Sequence, residues 1–470
     1  MKHSFLAVAL SLLVLTTACK HTPTDQTDAS VSTTDTTRPS AVVAAPDWAR
    51  NATIYEVNTR QFSAAGTFRA VEAQLPRLKE LGADIIWLMP IYPISQKNKK
   101  GTLGNPYAVA DYRSVNPDYG TLADFKALVR RAHALGLRVL LDWVPNHTGW
   151  DHPWVREHPD WYTHVKGKMT APLDPKTGKP SGWTDVVDLN YDHPDLRRAM
   201  IEAMRFWVKE CDIDGYRCDV AGLVPNDFWA ELHPQLSKIK PVFMLAEWED
   251  DPAQFRSCFN MNYAWSLFTV MKAVAQAGWS ATHLDSLREV NQKRFPAGYY
   301  QMLYTQNHDQ NTRDGTLTET FGAGADAFVV LSSTLEGMPL VYNGMESNLD
   351  KRLAYFEKDS ISWGNYAKSD FFKTLLTLKH RNQALWNGSA GGPVIKIPTD
   401  HDDRVYAFYR HRDNDRVVVI VNLGNQPQNV RLSGDGYEGT YTEVFSRQAM
   451  AIKPDMLVSL RPWEFRVLTN

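Results

Sequence analysis

Cysteine is scarce: four residues in 470, at positions 19, 211, 218 and 258. The three beyond Cys19 are an odd, scattered set, which argues against a disulfide framework and lacks the paired spacing of a zinc site. Excess charge of one sign is also missing. Lys and Arg number 51 against 53 Asp and Glu, a formal net charge of −2 with no basic stripe and no run of like charge. That balance makes nucleic acid and anionic membrane surfaces poor partners and suits a neutral substrate. No repeat of solenoid or propeller period is visible. A long apolar run occurs only at the start of the chain.

That run, residues 5–15, follows Lys2 and His3 and precedes Thr16, Thr17, Ala18 and Cys19. Residues 1–19 read as a signal peptide, too short to persist as a spanning helix. The small residues before Cys19 resemble a bacterial lipobox, although Thr16 stands where Leu is commonest, so Cys19 is the expected lipidation site. An exported protein follows, a periplasmic or outer-membrane-anchored lipoprotein of a bacterium that meets the membrane only through this anchor. Residues 20–46, rich in Thr, Ser, Asp, Ala and Pro, have too little apolar surface to fold and read as a disordered tether.

The rest of the chain suits a barrel plus an appended domain. Between residues 53 and 342, short β-rich runs alternate with longer amphipathic segments, the signature of βα units on a parallel sheet. The runs are 54–57, 85–88, 139–142, 215–218, 242–246, a weak one at 260–263, 302–305 and 340–342, eight in all. The spacing of Phe125, Leu128, Val129, Ala132 and Leu135 predicts a helix that starts at a Thr121/Asp124 capping box and stops at Gly136. Leu196, Met200, Ile201, Met204 and Val208 predict another after Pro194. Residues 47–386 therefore form the expected catalytic barrel. From residue 387 alternating apolar strands, at 405–409, 417–421, 430–432, 444–445 and 465–468, predict a β-sandwich over 387–470.

Four strings stand at the ends of predicted strands: DWVPNH (142–147), DGYRCD (214–219), VFMLAE (242–247) and YTQNHD (304–309). In a parallel barrel the C-terminal ends of the strands converge on one pocket, and three carboxylates there suit cleavage of a sugar acetal. Arg217 and Asp219, two apart on a strand, share a face, where the guanidinium favours an ionised carboxylate. Glu247, after an apolar strand and before Trp248, has surroundings that raise a carboxyl's pKa toward that of a general acid. Glu249 competes with it from the same face. Of the 15 Trp residues most read as core, some as platforms for sugar faces.

In order and wording these strings resemble the alpha-amylase family of glycoside hydrolases, family 13, over residues 47–470. The resemblance implies an α/β fold, a (β/α)8 TIM barrel with a short domain B after strand 3, at residues 148–190, and the C-terminal sandwich. A short domain B predicts an open, shallow groove. It further implies a catalytic triad of Asp219 as nucleophile, Glu247 as general acid/base and Asp309 as transition-state stabiliser. Tyr107 is expected to stack beneath the sugar, His147 and His308 to bind its hydroxyls, and Asp142 to hold Arg217, which orients Asp219. No cofactor is needed for this chemistry. Asn146 matches a family calcium ligand, with Asp151, Asp160, Asp174 and Asp185 as acids available to complete a structural site. The implied activity is retaining hydrolysis of α-1,4 bonds in an α-glucan or maltooligosaccharide by a monomer.

Two departures widen that reading. Val220 to Val224 replace the Lys-His of many endo-acting amylases, and the DLN at 188–190 resembles oligo-1,6-glucosidases and neopullulanases. Neopullulanase, cyclomaltodextrinase, oligo-1,6-glucosidase and glucanotransferase activities therefore remain alternatives. A non-catalytic glucan-binding protein is the alternative of a different class, disfavoured by the presence of all three acids.

Overall fold

The computed structural model describes residues 42–470. The expected signal peptide, Cys19 and residues 20–41 of the expected tether lie outside the described residues. Residues 42–46 at the tether's end lie against the barrel. Val43 donates to the Phe255 carbonyl at 2.8 Å, and its own carbonyl accepts from Asn260 Nδ2 at 3.2 Å. Those bonds tie down a backbone that composition alone marks as free.

Eight strands close a barrel: β1 Ile54–Val57, β2 Ile85–Leu88, β3 Arg138–Trp143, β4 Gly215–Cys218, β5 Phe243–Ala246, β6 Met261–Tyr263, β7 Tyr300–Leu303 and β8 Met338–Tyr342. Each pairs in parallel with its neighbours, and β1 closes on β8 through Ile54 opposite Leu340. Every residue of β1, β2, β4, β5, β6, β7 and β8 is buried. Burial on both faces is why these strands read as unbroken apolar runs.

The helices follow their sequence signals. Leu122–Ala134 starts on a reciprocal Thr121/Asp124 capping box and buries Phe125, Leu128, Val129 and Ala132. The helix Pro194–Cys211 has Pro194 in its first turn and buries Met200, Met204, Trp207 and Val208. One strand differs from expectation. β7 covers Tyr300–Leu303 because Tyr300 and Gln301 pair with Met261 and Asn262, while Tyr304 leaves the ladder to stack on Phe268 at 5.4 Å. Asp309 therefore sits in the first turn of the helix His308–Arg313, where Asn307 Oδ1 accepts from the amides of Asp309 and Gln310.

Between β3 and the helix at Pro194 the chain makes a small excursion. His147–Gly149 pairs antiparallel with Val186–Asp188, and a two-residue hairpin, His164–Val165 with Lys168–Met169, forms its outer edge. Beyond the barrel, a six-stranded antiparallel sheet faces a two-stranded one formed by Gln428–Arg431 and Leu457–Leu460. Residues 444–445, expected as a strand, follow the strand Gly439–Glu443 instead. In Val405–Arg412, Tyr406 and Phe408 join the barrel-side core while Val405 and Ala407 face the small sheet. The buried Arg410 bridges the two parts, donating to the carbonyls of Thr334, Leu335, Trp386 and Gly392 at 2.7–3.1 Å. Among the described residues no helix is long and apolar enough to cross a membrane.

Gly215 opens β4 at φ +151°, and an added Cβ would stand 1.9 Å from the Phe243 carbonyl oxygen on β5. Gly136 also has a positive φ, +73°, but open space around it. Gly215→Ala is expected to cost on the order of 3 kcal/mol or more, and Gly136→Ala only about 1 kcal/mol. Urea titration of the two variants checks this; equal losses would mean that the backbone contact with β5 contributes nothing.

Candidate active site

The register of the barrel builds the site. On adjacent strands Asp142 stands opposite Arg217, and Arg217 opposite Leu245. Alternation then puts Asp219 on Arg217's face and Glu247 on Leu245's face. The ladder continues one residue past each strand: the Asp219 amide donates to Trp143 O at 2.8 Å and the Glu247 amide to Cys218 O at 3.0 Å. Both carboxylates are thereby fixed at the C-terminal rim.

Arg217 is fully buried and joins them. Its Nη1 donates to Asp142 Oδ1 at 2.8 Å and to Asp219 Oδ1 at 3.0 Å, and its Nε to Tyr263 OH at 3.1 Å. Nη2 lies 2.9 Å from Glu247 Oε1, an ion-pair contact without hydrogen-bond alignment. Asp142 Oδ2 accepts from Trp87 Nε1 at 3.1 Å and from Tyr107 OH at 3.0 Å. Asp219, Glu247, Asp309, His308, His147 and Tyr107 line one cavity of about 170 Å³. Asp142, Arg217 and Asn146 lie behind that lining or beside it. Loop contacts build the cavity's rim: Lys100 Nζ reaches Asp185 Oδ1 at 2.6 Å, and Leu103 N donates to Phe356 O at 3.0 Å. A larger cavity of about 480 Å³, between the helix His283–Arg294 and residues 388–393, is lined mainly by apolar side chains and holds none of these acids.

Burial dominates the electrostatics. It pushes Asp219 up to about 6 and Glu247 up to about 7, despite the opposing pull of Arg217 on both. Arg217 thus acts on Asp219 in the expected direction but is outweighed by desolvation. The neighbouring Asp219 and Asp309 charges lift Glu247 further, so it is the acid that keeps its proton to higher pH. Burial likewise raises Asp142 to about 6. His147, desolvated, falls to about 4 and is neutral. His308 goes the other way. Burial works against its charge, yet Asp309 and Glu56 raise it to about 9.

Glu56 was not legible as a site residue. It is buried on β1, and its Oε1 meets His308 Nδ1 at 2.5 Å, while His308 Nε2 meets Tyr107 OH at 2.9 Å. Arg313, one helical turn after Asp309, holds its Oδ1 at 2.9 Å. Tyr355 and Trp183 complete the wall. Arg60 fastens the Tyr107 loop, donating to Gly104 O at 3.0 Å and Tyr355 O at 3.1 Å. Glu249 is not in the cavity: its carboxylate accepts from Ser266 N and Oγ at 2.8 and 2.5 Å, and Glu247 alone reaches the cleft.

The residues do not fit a calcium ion. Asn146 Nδ2 contacts Asp188 Oδ1 at 3.3 Å, which supplies one carboxylate where calcium takes six to eight oxygens. The four acids named for the site are spent elsewhere. Asp151 accepts from Gln96 N, Asp174 from Thr177 N, Asp185 from Asn105 Nδ2, and Asp160 lies 3.6 Å from His193. Among the described residues no three His, Cys, Asp or Glu are grouped to hold a metal. Cys211, Cys218 and Cys258 are buried and unbridged.

One cation holding two carboxylates of unequal proton affinity, beside a neutral and a charged histidine, can attack and protonate a single acetal. The chain as a whole is similar to known proteins. A model of the alpha amylase catalytic domain matches residues 29–391, and one of the maltogenic amylase C-terminal domain matches residues 396–467. Alpha-amylase MalA of Haloarcula japonica is 30% identical over 416 residues, 84% of this chain; the chain spans 58% of that relative's length. Among solved structures, an alpha-amylase from Lactobacillus plantarum superposes with a TM-score of 0.79 at 30% identity, covering 90% of this chain and 99% of that one. The maltogenic alpha-amylase AmyB from Thermotoga neapolitana gives 0.79 at 29% identity, over 89% and 98%. The chain belongs to the alpha-amylase family of glycoside hydrolases, family 13.

Proposed function

We propose that this glycoside hydrolase cleaves α-1,4 glucosidic bonds of starch or maltooligosaccharides with retention, by double displacement. The observation that carries this reading is the shared grip of one guanidinium on Asp219 and Glu247 within a single cavity. Retention requires the two reacting carboxyls roughly 5 Å apart, and contacts of 3.0 and 2.9 Å to the two terminal nitrogens of one guanidinium are compatible with that separation. Asp219 attacks the anomeric carbon as Glu247 gives its proton to the departing glycosidic oxygen, leaving a glucosyl ester on Asp219. Glu247 then takes a proton from water, whose oxygen displaces Asp219. Asp309, held by Arg313, accepts from the ring hydroxyls and faces the positive charge of the transition state. Tyr107 lies under the ring, its hydroxyl held by Asp142, while neutral His147 and charged His308 face the hydroxyls.

A second reading, release of maltose or opening of short and cyclic maltooligosaccharides, is favoured by the C-terminal match to a maltogenic amylase domain. Digests of soluble starch, maltotriose, cyclodextrin and pullulan, resolved by chromatography, separate the two. Cleavage of starch into mixed oligosaccharides supports the first; preference for cyclodextrin with maltose as product supports the second; cleavage of pullulan or isomaltose alone overturns both. At its N-terminus we propose acylation at Cys19 and retention on an envelope membrane. Palmitate labelling that survives Cys19→Ala would overturn this.

Two kinetic outcomes test the mechanism. Glu247→Gln is expected to lose several orders of magnitude in kcat on maltooligosaccharides, with bound substrate still detectable by calorimetry. In the unaltered enzyme Asp219 must be ionised and Glu247 protonated. The kcat/KM profile should therefore rise with pH through about 6 and fall through about 7. A plateau extending to pH 9 would contradict the role given to Glu247.

A further inference from the structure

The turn after Asp219 carries the most strained backbone at the site, and the scheme above does not use it. Val220 has φ +36° and ψ 47°, a left-handed conformation that is an outlier for a β-branched residue. Its N–H donates to Glu247 Oε2 at 2.7 Å. Two residues on, Gly222 lies so close to Trp248 that an added Cβ would stand 2.0–2.3 Å from three indole atoms. The turn is fastened again by Leu223 N donating to Val220 O at 2.8 Å and Trp229 Nε1 to Ala221 O at 3.1 Å. The segment after one acid is thus fitted against the other acid and its neighbour. Strain of this kind persists only where the surroundings over-determine it, and it clusters at functional positions.

We propose that Val220 and Gly222 are positioning residues: the left-handed turn, seated on Trp248, delivers a backbone N–H to Glu247 Oε2 and so selects Oε1 to carry the proton. The inference deepens the reading of Glu247 as general acid and rests on it. A carboxylic acid has one carbonyl oxygen and one hydroxyl, and the carbonyl is the better acceptor. A fixed N–H therefore chooses Oε2 as carbonyl. Arg217 Nη2 stands 2.9 Å from Oε1 without hydrogen-bond alignment, and its charge acts against the proton, so the choice of oxygen falls to the aligned N–H on Oε2. The same N–H favours the ionised carboxylate, so it also tempers the rise that burial imposes. The other groups acting on Glu247 are Arg217 and Asp219 of the β4 segment, Asp142 of β3, Tyr263 of β6, and Tyr304, Asp309 and Arg313 after β7. They are unaltered in the variants below.

Gly222→Ala pushes the turn off the indole, and Trp248→Ala removes its seat from the other side. Each should weaken the Val220–Glu247 bond, raise the alkaline limb of kcat/KM by about half a pH unit or more, and lower kcat about tenfold with little change in KM. Val220→Gly keeps the N–H and adopts the left-handed turn without strain, so it should move the limb less than Gly222→Ala and raise the melting temperature. Should Gly222→Ala fail to fold, Trp248→Ala decides alone. An unmoved limb in the folded variants, or an equal shift in Val220→Gly, overturns the proposal. Failure of Glu247 as general acid would show separately, as turnover retained by Glu247→Gln.

Discussion

A buried arginine cannot stand without anions, and the site is organised around that constraint. Arg217 has no exposed surface, so its guanidinium must be neutralised and hydrogen-bonded from within the barrel. Asp142, Asp219 and Glu247 do this, yet three carboxylates around one cation leave negative charge in excess. His308 supplies a second cation but brings Glu56 and Asp309 with it. The only escape for such a cluster is to keep a proton, and it resides where desolvation and neighbouring charges weigh most, on Glu247. The unequal proton affinity of Asp219 and Glu247 thus arises from burial first and then from the surplus of carboxylates gathered around one cation.

Register turns that surplus into geometry. Asp142 and Arg217 face each other because β3 and β4 pair in parallel with those residues opposite. Asp219 and Glu247 each sit one residue beyond the last strand position, held by hydrogen bonds that their backbone amides donate to the preceding strand. These relations are local in the sequence, two residues apart or at the end of an apolar run, which is why they were legible there. The capping box at Thr121, the helix opened by Pro194 and seven of the eight barrel strands were legible for the same reason. β7 was misjudged by two residues because Tyr304, a good strand former, is drawn out of the ladder by Phe268.

What escaped the sequence is what depends on contacts between distant segments. Glu56 looks like an ordinary strand residue until β1 closes on β8 and brings His308 beside it. The cavity's rim is built from the segments around Lys100, Asp185 and Phe356, each in a different connection of the barrel, and no period or spacing records that they meet. Asn146 was legible as a match to a metal ligand, but its local string says nothing of Gln96, Thr177 or Asn105, which occupy three of the acids a calcium would need. The C-terminal strands were legible by their alternation, while their attachment to the barrel through Arg410 was not.

The same surplus governs how the fold responds to acid and alkali. A carboxyl whose folded pKa is raised binds its proton more tightly in the folded than in the unfolded chain. Asp142, Asp219 and Glu247 therefore weigh against the fold in full above about 6 to 7, and that burden lifts progressively as pH falls from there toward the ordinary carboxyl value of about 4. Other acids act in the opposite sense. Asp214 is lowered because bonds from His133 and the Val139 amide outweigh its burial, and Asp124 falls to about 2 in its capping box and its pair with Arg69. Their contribution is present above the unfolded value and is lost only as pH falls toward their own low pKa. Helix caps and inter-element pairs thus retain their strength across the mildly acidic range in which the burden of the buried cluster is lifting. The window near 6 to 7, in which one of the two facing carboxyls can be charged while the other keeps its proton, is therefore one in which the site is still costly to bury and the scaffold carries that cost.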